Sequence, residues 1–166
     1  MRIALTGLLA GAAGVGGMVG GQMLDLEAEG RFTSGRPAPV SPDAIVQLQS
    51  MKTGALLAAA CGAGAILGRA NENLRRALAD YARALGLAFQ IADDLLDVEG
   101  DAASIGKAAA KDAGKGKATL VSALGIDGAK KRLAKLVTDA EAALTPFGER
   151  GTMLRACARF IAGRKR

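Results

Sequence analysis

Asp93, Asp94 and Asp97 stand in an otherwise apolar run, Gly86-Leu87-Ala88-Phe89-Gln90-Ile91-Ala92-Asp93-Asp94-Leu95-Leu96-Asp97. The run predicts a helix, because Leu85, Phe89, Ala92 and Leu96 recur at spacings of three or four. On that helix Asp93 and Asp97 are one turn apart, roughly 6 Å along the axis. Asp94 lies about 100° round from Asp93 and borders the same face. Gln90 is on that side too, one turn earlier. Like charges at this spacing repel, and apolar neighbours solvate them poorly. At an effective dielectric near 20, each close pair costs on the order of 4 kcal/mol. A cation at the cluster relieves that cost. Three carboxylates on one helix suit Mg²⁺, a hard ion that keeps most of its waters and leans on substrate phosphates. The competing reading is a solvated acidic face, the commoner origin of such a triplet taken alone.

Basic residues weigh toward the ion. The least regular segment, Gly100 to Gly116, follows the acidic helix directly and carries Lys107, Lys111 and Lys115 among glycines, with Lys117 just beyond. Residues 101–117 are expected to be mobile without ligand and to fold back over a bound phosphate. A solvated basic loop is the alternative reading of the same composition. Farther upstream, Lys52-Thr53-Gly54 interrupts a stretch with almost no charge.

The elements that must position these residues read as all-α, with no convincing alternating strand. Residues 3–29 predict one helix with a glycine-rich middle, closed by Gly30. Pro37, Pro39 and Pro42 mark a loop. Ser41-Pro42-Asp43 is a strong helix start, with Ser as N-cap, Pro in the first helical position and acid in the first turn. That second helix is expected to reach about Gly68. A third runs from Asn71 to about Glu99, amphipathic through Leu74, Leu78, Tyr81 and Leu85. Thr119–Leu124 predicts a short helix, Asp127 caps another to about Leu144, and Glu149–Ala162 forms the last. The chain ends in Arg164-Lys165-Arg166.

Composition narrows the function classes. The 166 residues make one domain or part of one. The net charge of +6 favours anionic partners, but aromatics are only 3%, too few for the stacking platforms of single-strand binders. Phosphorylated small molecules fit better than nucleic acid. With no His and no CxxC spacing, zinc and a Cys-His nucleophile are disfavoured; Cys61 and Cys157 read as reduced thiols of a cytoplasmic protein. Ile3 to Leu24 carries no charge and is long enough to span a bilayer, and a signal peptide is another option. Its many glycines favour a close-packed buried helix, without stable membrane insertion.

Four motifs in order resemble one family: Gly20-Gly21-Gln22 with Asp25-Leu26; Lys52-Thr53-Gly54-Ala55-Leu56; Phe89-Gln90-x-x-Asp93-Asp94-x-x-Asp97; and Gly106-Lys107 with Asp112 and Gly116-Lys117-x-Thr119. Essentially the whole chain is similar to the carboxy-terminal half of a trans-isoprenyl diphosphate synthase of the bacterial farnesyl (geranyl) type. The resemblance implies an all-α helical bundle of the isoprenoid synthase type, lacking the amino-terminal helices, with residues 1–166 as a single partial domain. It implies Mg²⁺ held by Asp93, Asp94 and Asp97 on the diphosphate of an allylic substrate. It puts Lys52 on that diphosphate and Thr53 beside the allylic chain. It places Gln90 near the reacting carbons and Phe89 in the substrate site. Lys107 and Lys117 become the lysines of a closing loop. Lys52, Thr53, Gln90 and Lys107 are the implied catalytic residues. The implied reaction condenses an allylic diphosphate with isopentenyl diphosphate, in a cytoplasmic homodimer.

The chain also departs from the family pattern. The family's first aspartate-rich motif and its paired arginines have no counterpart before Asp93, and Asp25 has no acidic partner at the required spacing. The expectation is therefore a chain incomplete for catalysis by itself. The alternative is a non-catalytic helical subunit or interaction module derived from a prenyl synthase. With the uncharged runs Ile3–Leu24 and Ala55–Leu67 both needing burial, the chain is expected not to be a monomer. Product chain length is not written in these motifs.

Overall fold

The longest apolar repeat in the chain sets the axis of the fold. The computed structural model describes residues 1–32, 40–105 and 119–164, with residues 100–105 described by their backbone alone. Every described element is helical. The central one, which we call α5, spans Glu72–Ile105 and starts at Asn71, whose Oδ1 accepts from the Leu74 N–H at 3.0 Å. Leu78, Tyr81, Leu85, Ala88, Ala92 and Leu95 are its buried stripe, in alternating steps of three and four. Phe89 and Leu96, expected on the stripe, lie half-buried at its edge. The helix also continues to Ile105, so residues 101–105, expected in the basic loop, are helical in backbone. Lys107, Lys117 and the rest of that loop lie outside the described residues.

Before α5 come α1 (Arg2–Ala13), α2 (Met18–Ala28), α3 (Pro42–Gln49) and α4 (Ala55–Leu67). The single helix expected over residues 3–29 is two helices, broken at Gly14–Gly17. A Cβ on Gly17 would sit 2.0 Å from the Ala12 carbonyl oxygen, so only glycine permits this break. The expected stop at Gly30 is present. Gly30 has φ 79°, its N–H bonds to the Glu27 carbonyl at 2.9 Å, and the Arg31 N–H reaches Leu26 at 3.0 Å, a Schellman closure. The start at Ser41 also holds, with the Ala44 N–H donating to Ser41 Oγ at 3.2 Å. α4 ends at Leu67, beside the expected limit near Gly68, and Arg69 takes the left-handed conformation, φ 49°.

After the undescribed segment, α6 (Leu120–Ala143) begins with a capping box between Thr119 and Ser122 and kinks at Gly125, φ 71°. The short and long helices expected here are the two arms of that kink. A 3₁₀ turn, Thr145–Gly151, carries Pro146, and α7 (Thr152–Gly163) begins three residues later than expected. Leu133, Leu136, Ala140, Leu144 and Ile161 close the core against α5. Tyr81 fastens this side. It is fully buried, its hydroxyl donates to the Leu154 carbonyl at 2.8 Å, and burial pushes its phenol well above the ordinary range.

The close-packed buried helix expected over Ile3–Leu24 is not enclosed by this chain: α1 has no buried residue, and Ile3 and Val15 are 89% and 84% exposed, which leaves the run with the need for burial that the expected association rests on. The reason is geometric: α1 packs on α4, with Leu8 against Gly62, and nothing in the described chain covers its outer face. By length and composition, residues 2–28 and 42–67 each suffice to cross a membrane. The first of these is interrupted at Gly14–Gly17, and the second carries Lys52 in its middle.

Candidate active site

Lys52 and Thr53 sit in a break of helical geometry. Between α3 and α4 the chain widens into a π-helical turn, Ser50–Gly54. Such turns relocate side chains that a regular helix would point elsewhere, and they recur at functional sites. The widened turn is fitted to α2 by close approach. A Cβ on Gly21 would stand 2.2 Å from the Lys52 nitrogen and 2.7 Å from its Cα. On the opposite side, a Cβ on Gly86 of α5 would meet the Gly54 Cα at 3.0 Å. Glycines on α2 and α5 thus let the backbone of this turn lie between two helices.

The turn aims its polar groups at α2 and α5. Lys52 Nζ forms an ion pair with Asp25 Oδ2 of α2, an aspartate that is largely buried. Thr53 Oγ1 donates to Gln90 Oε1 at 3.3 Å, and Gln90 Nε2 donates to Asp94 Oδ1 at 3.1 Å. Gln49 Nε2 donates to Asp94 Oδ2 at 3.3 Å. A chain of hydrogen bonds therefore runs from the lysine-bearing turn to the acidic helix, and it orients the Gln90 amide. The structure brings Thr53, Gln90 and Asp94 together in this chain, while Lys52, next to Thr53 on the turn, reaches Asp25 of α2.

The three aspartates occupy different environments. Asp94 is only 4% exposed and is held between two amides. Asp93 and Asp97 are exposed, one turn apart on α5. Arg164, just after α7, donates from Nη2 to Asp93 Oδ1 at 2.9 Å. The same guanidinium lies 4.4 Å from the centroid of the Phe89 ring, so Phe89 presents a face to that cation. Among the described residues no three His, Cys, Asp or Glu side chains converge to hold a metal ion by themselves. The donor chemistry still fits Mg²⁺: Asp93 and Asp97 offer hard oxygens one turn apart to an ion that completes its shell with water and phosphate.

Three participants were missed in the sequence. Gln49 is buried and contacts Asp94, and its Oε1 is buried without a partner. Its signal was position, one turn before Lys52 on the same helix. Asp25 enters the sequence reading as part of the first motif and as an aspartate without an acidic partner, whereas in the fold it is the counter-ion of Lys52. Arg164 belongs in sequence to the basic tail Arg164-Lys165-Arg166, and nothing local to it points to α5.

Residues 6–145 match the family model described as Polyprenyl synthetase. The chain is 42% identical over 151 residues to the farnesyl diphosphate synthase of Escherichia coli strain K12, covering 89% of this chain and 48% of that protein. It is 40% identical over 168 residues to the farnesyl diphosphate synthase of Haemophilus influenzae, covering 99% and 54%. Among solved structures, an FPP/GFPP synthase from Zymomonas mobilis superposes with a TM-score of 0.81 at 44% identity, over 96% of this chain and 50% of that one. The chain spans about half the length of the curated relatives it matches. With an all-helical fold, these similarities and the ordered motifs on α2, the π turn and α5, the chain belongs to the polyprenyl synthetase family.

Proposed function

We propose that this chain supplies the diphosphate-leaving half of a trans-prenyl chain-elongation site, acting on an allylic diphosphate and isopentenyl diphosphate. The observation that carries the reading is the junction of the π turn with α5: the turn that bears Lys52 sets Thr53 on Gln90, and Gln90 on Asp94. The reaction breaks the allylic carbon–oxygen bond, with both electrons leaving on diphosphate. The isopentenyl double bond then supplies the pair for the new carbon–carbon bond, and the proton released passes to the departing diphosphate. The hard step is the charge left on diphosphate, and preorganised cations lower that barrier. Mg²⁺ held at Asp93 and Asp97 would supply Lewis-acid stabilisation there. Lys52, positioned by Asp25, adds a fixed positive charge. Gln90, oriented from both ends, presents its amide beside the reacting carbons. Asp94 acts here as the anchor of that amide, and Lys107 and Lys117 remain candidates for closing the site.

The whole reaction needs the remainder of the fold. Joining this chain to the amino-terminal half of the Escherichia coli relative should give Mg²⁺-dependent prenyl transfer, while this chain alone should give none. Lys52→Ala in the joined protein should lower turnover about 100-fold, the size expected for one preorganised stabilising group. A folded joined protein without turnover would contradict the reading. The uncovered apolar face of α1 and α2 favours a second reading, a non-catalytic subunit that docks on a complete synthase. Binding to such a synthase, with no turnover from the joined protein, would select it.

The same face supports self-association in the cytoplasm rather than insertion into lipid. Asp25 of α2 is paired with Lys52 of the π turn, an ion pair that a bilayer would penalise. The chain alone should sediment as a dimer or larger at both low and high ionic strength, because salt does not weaken apolar contacts. A folded monomer at micromolar concentration would contradict this.

A further inference from the structure

Arg164 meets α5 in three ways at once. Its Nη2 donates to Asp93 Oδ1 at 2.9 Å and to the Phe89 carbonyl at 3.4 Å, and its plane lies over the Phe89 ring. Its Nε is buried and has no partner. The guanidinium therefore sits on the carboxylate that the proposed function gives to a metal ion. A divalent ion on either oxygen of this carboxylate would stand within about 5 Å of the guanidinium on Oδ1, and the repulsion between the two cations weakens the hold of each.

A second place for the side chain adjoins the first. A cavity of about 320 Å³ opens between α5, α6 and α7, walled by Leu95, Leu96 and Leu133 and bordered by Arg164 itself. Glu99 also borders it, paired with Lys130 at 2.7 Å. A guanidinium displaced from Asp93 can turn into this space toward the Glu99 carboxylate. There its orphaned Nε could gain an acceptor, which the Asp93 position does not give it.

We infer that Arg164 is a built-in competitor for the cation at Asp93. Without a divalent ion it neutralises the carboxylate and ties α7 to the acidic helix. When an ion binds, the side chain leaves Asp93 and takes the cavity position beside Glu99. The carboxy-terminal end of α7 thereby senses whether the metal position is filled. The inference rests on the metal role of Asp93 in the proposed function.

The test titrates the whole chain with Mn²⁺ as the hard-ion probe, counting free ion by its electron paramagnetic resonance signal, with no substrate present. Arg164→Gln should tighten Mn²⁺ binding about threefold to fivefold, the scale of a half-exposed ion pair. Arg164→Lys, which keeps the charge, should stay closer to the parent than Arg164→Gln does. In an Asp93→Asn background, Arg164→Gln should bring no gain. Circular dichroism confirms that each variant is folded. If Asp93→Asn weakens binding but Arg164→Gln leaves it unchanged or weaker, competition is overturned while the metal role of Asp93 stands. If Asp93→Asn leaves Mn²⁺ affinity at the parental value, the metal role fails and the competition falls with it.

Discussion

Gly21→Ala should destabilise the protein by about 3 kcal/mol or more, although it adds a single methyl group. The new Cβ would stand 2.2 Å from the Lys52 nitrogen and 2.7 Å from its Cα, distances that real Cβ atoms do not reach. The obstruction is backbone, so no rotamer change relieves it, and overpacking of this kind costs roughly 1–3 kcal/mol even where neighbours can adjust. Either α2 lifts from the π turn or the turn itself refolds. Both outcomes separate Lys52 from Asp25, so diphosphate binding should fall along with the urea midpoint. Gly7→Ala is the control. A Cβ there has no neighbour within 4 Å, and alanine is a better helix former by about 1 kcal/mol. An unchanged midpoint for Gly21→Ala would mean that α2 and the π turn are not in contact.

Neighbouring aspartates should behave oppositely. Asp94→Ala should cost about 3 kcal/mol of stability, because it leaves the Gln49 and Gln90 amide donors facing each other with their acceptor gone. Asp93→Ala removes an exposed carboxylate and should stay within about 1 kcal/mol of the parent. Ion-dependent diphosphate binding should show the reverse sensitivity per unit of stability lost. Asp93→Asn, a change at an exposed side chain, should weaken it about 10-fold or more, and more than Asp97→Asn does. Denaturant unfolding and ligand titration on the same samples separate the two roles. Equal stability losses at positions 93 and 94 would contradict the placement of Asp94 inside.

The parts of the fold legible in sequence are those set by local chemistry. The Ser41-Pro42 start, the Gly30 stop and the long amphipathic α5 follow from capping and periodicity. The all-helical class follows from the absence of alternating strands. What was not legible depends on contacts between distant segments. The π turn exists where Gly21 and Gly86 admit the backbone of residues 52–54, a fit that no local pattern announces. The break at Gly14–Gly17 looked like tolerated glycines inside a helix. The acidic triplet was legible as a cluster, but the buried stripe keeps the expected Leu85 and Ala92 and takes Ala88 and Leu95 in place of Phe89 and Leu96. That shift carries Asp94 inward and leaves Asp93 outside. Arg164 stands 71 residues from Asp93, so only the folded chain brings the two together.

The central claim is that the π turn and α5 form one ion-dependent diphosphate site. Calorimetric titration of the chain with a non-hydrolysable bisphosphonate, with and without Mg²⁺, addresses it most directly. Binding should require Mg²⁺ and should weaken about 10-fold or more in both Lys52→Gln and Asp93→Asn, one from each side of the site. Mg²⁺-independent binding, or parental affinity in either folded variant, would contradict the account.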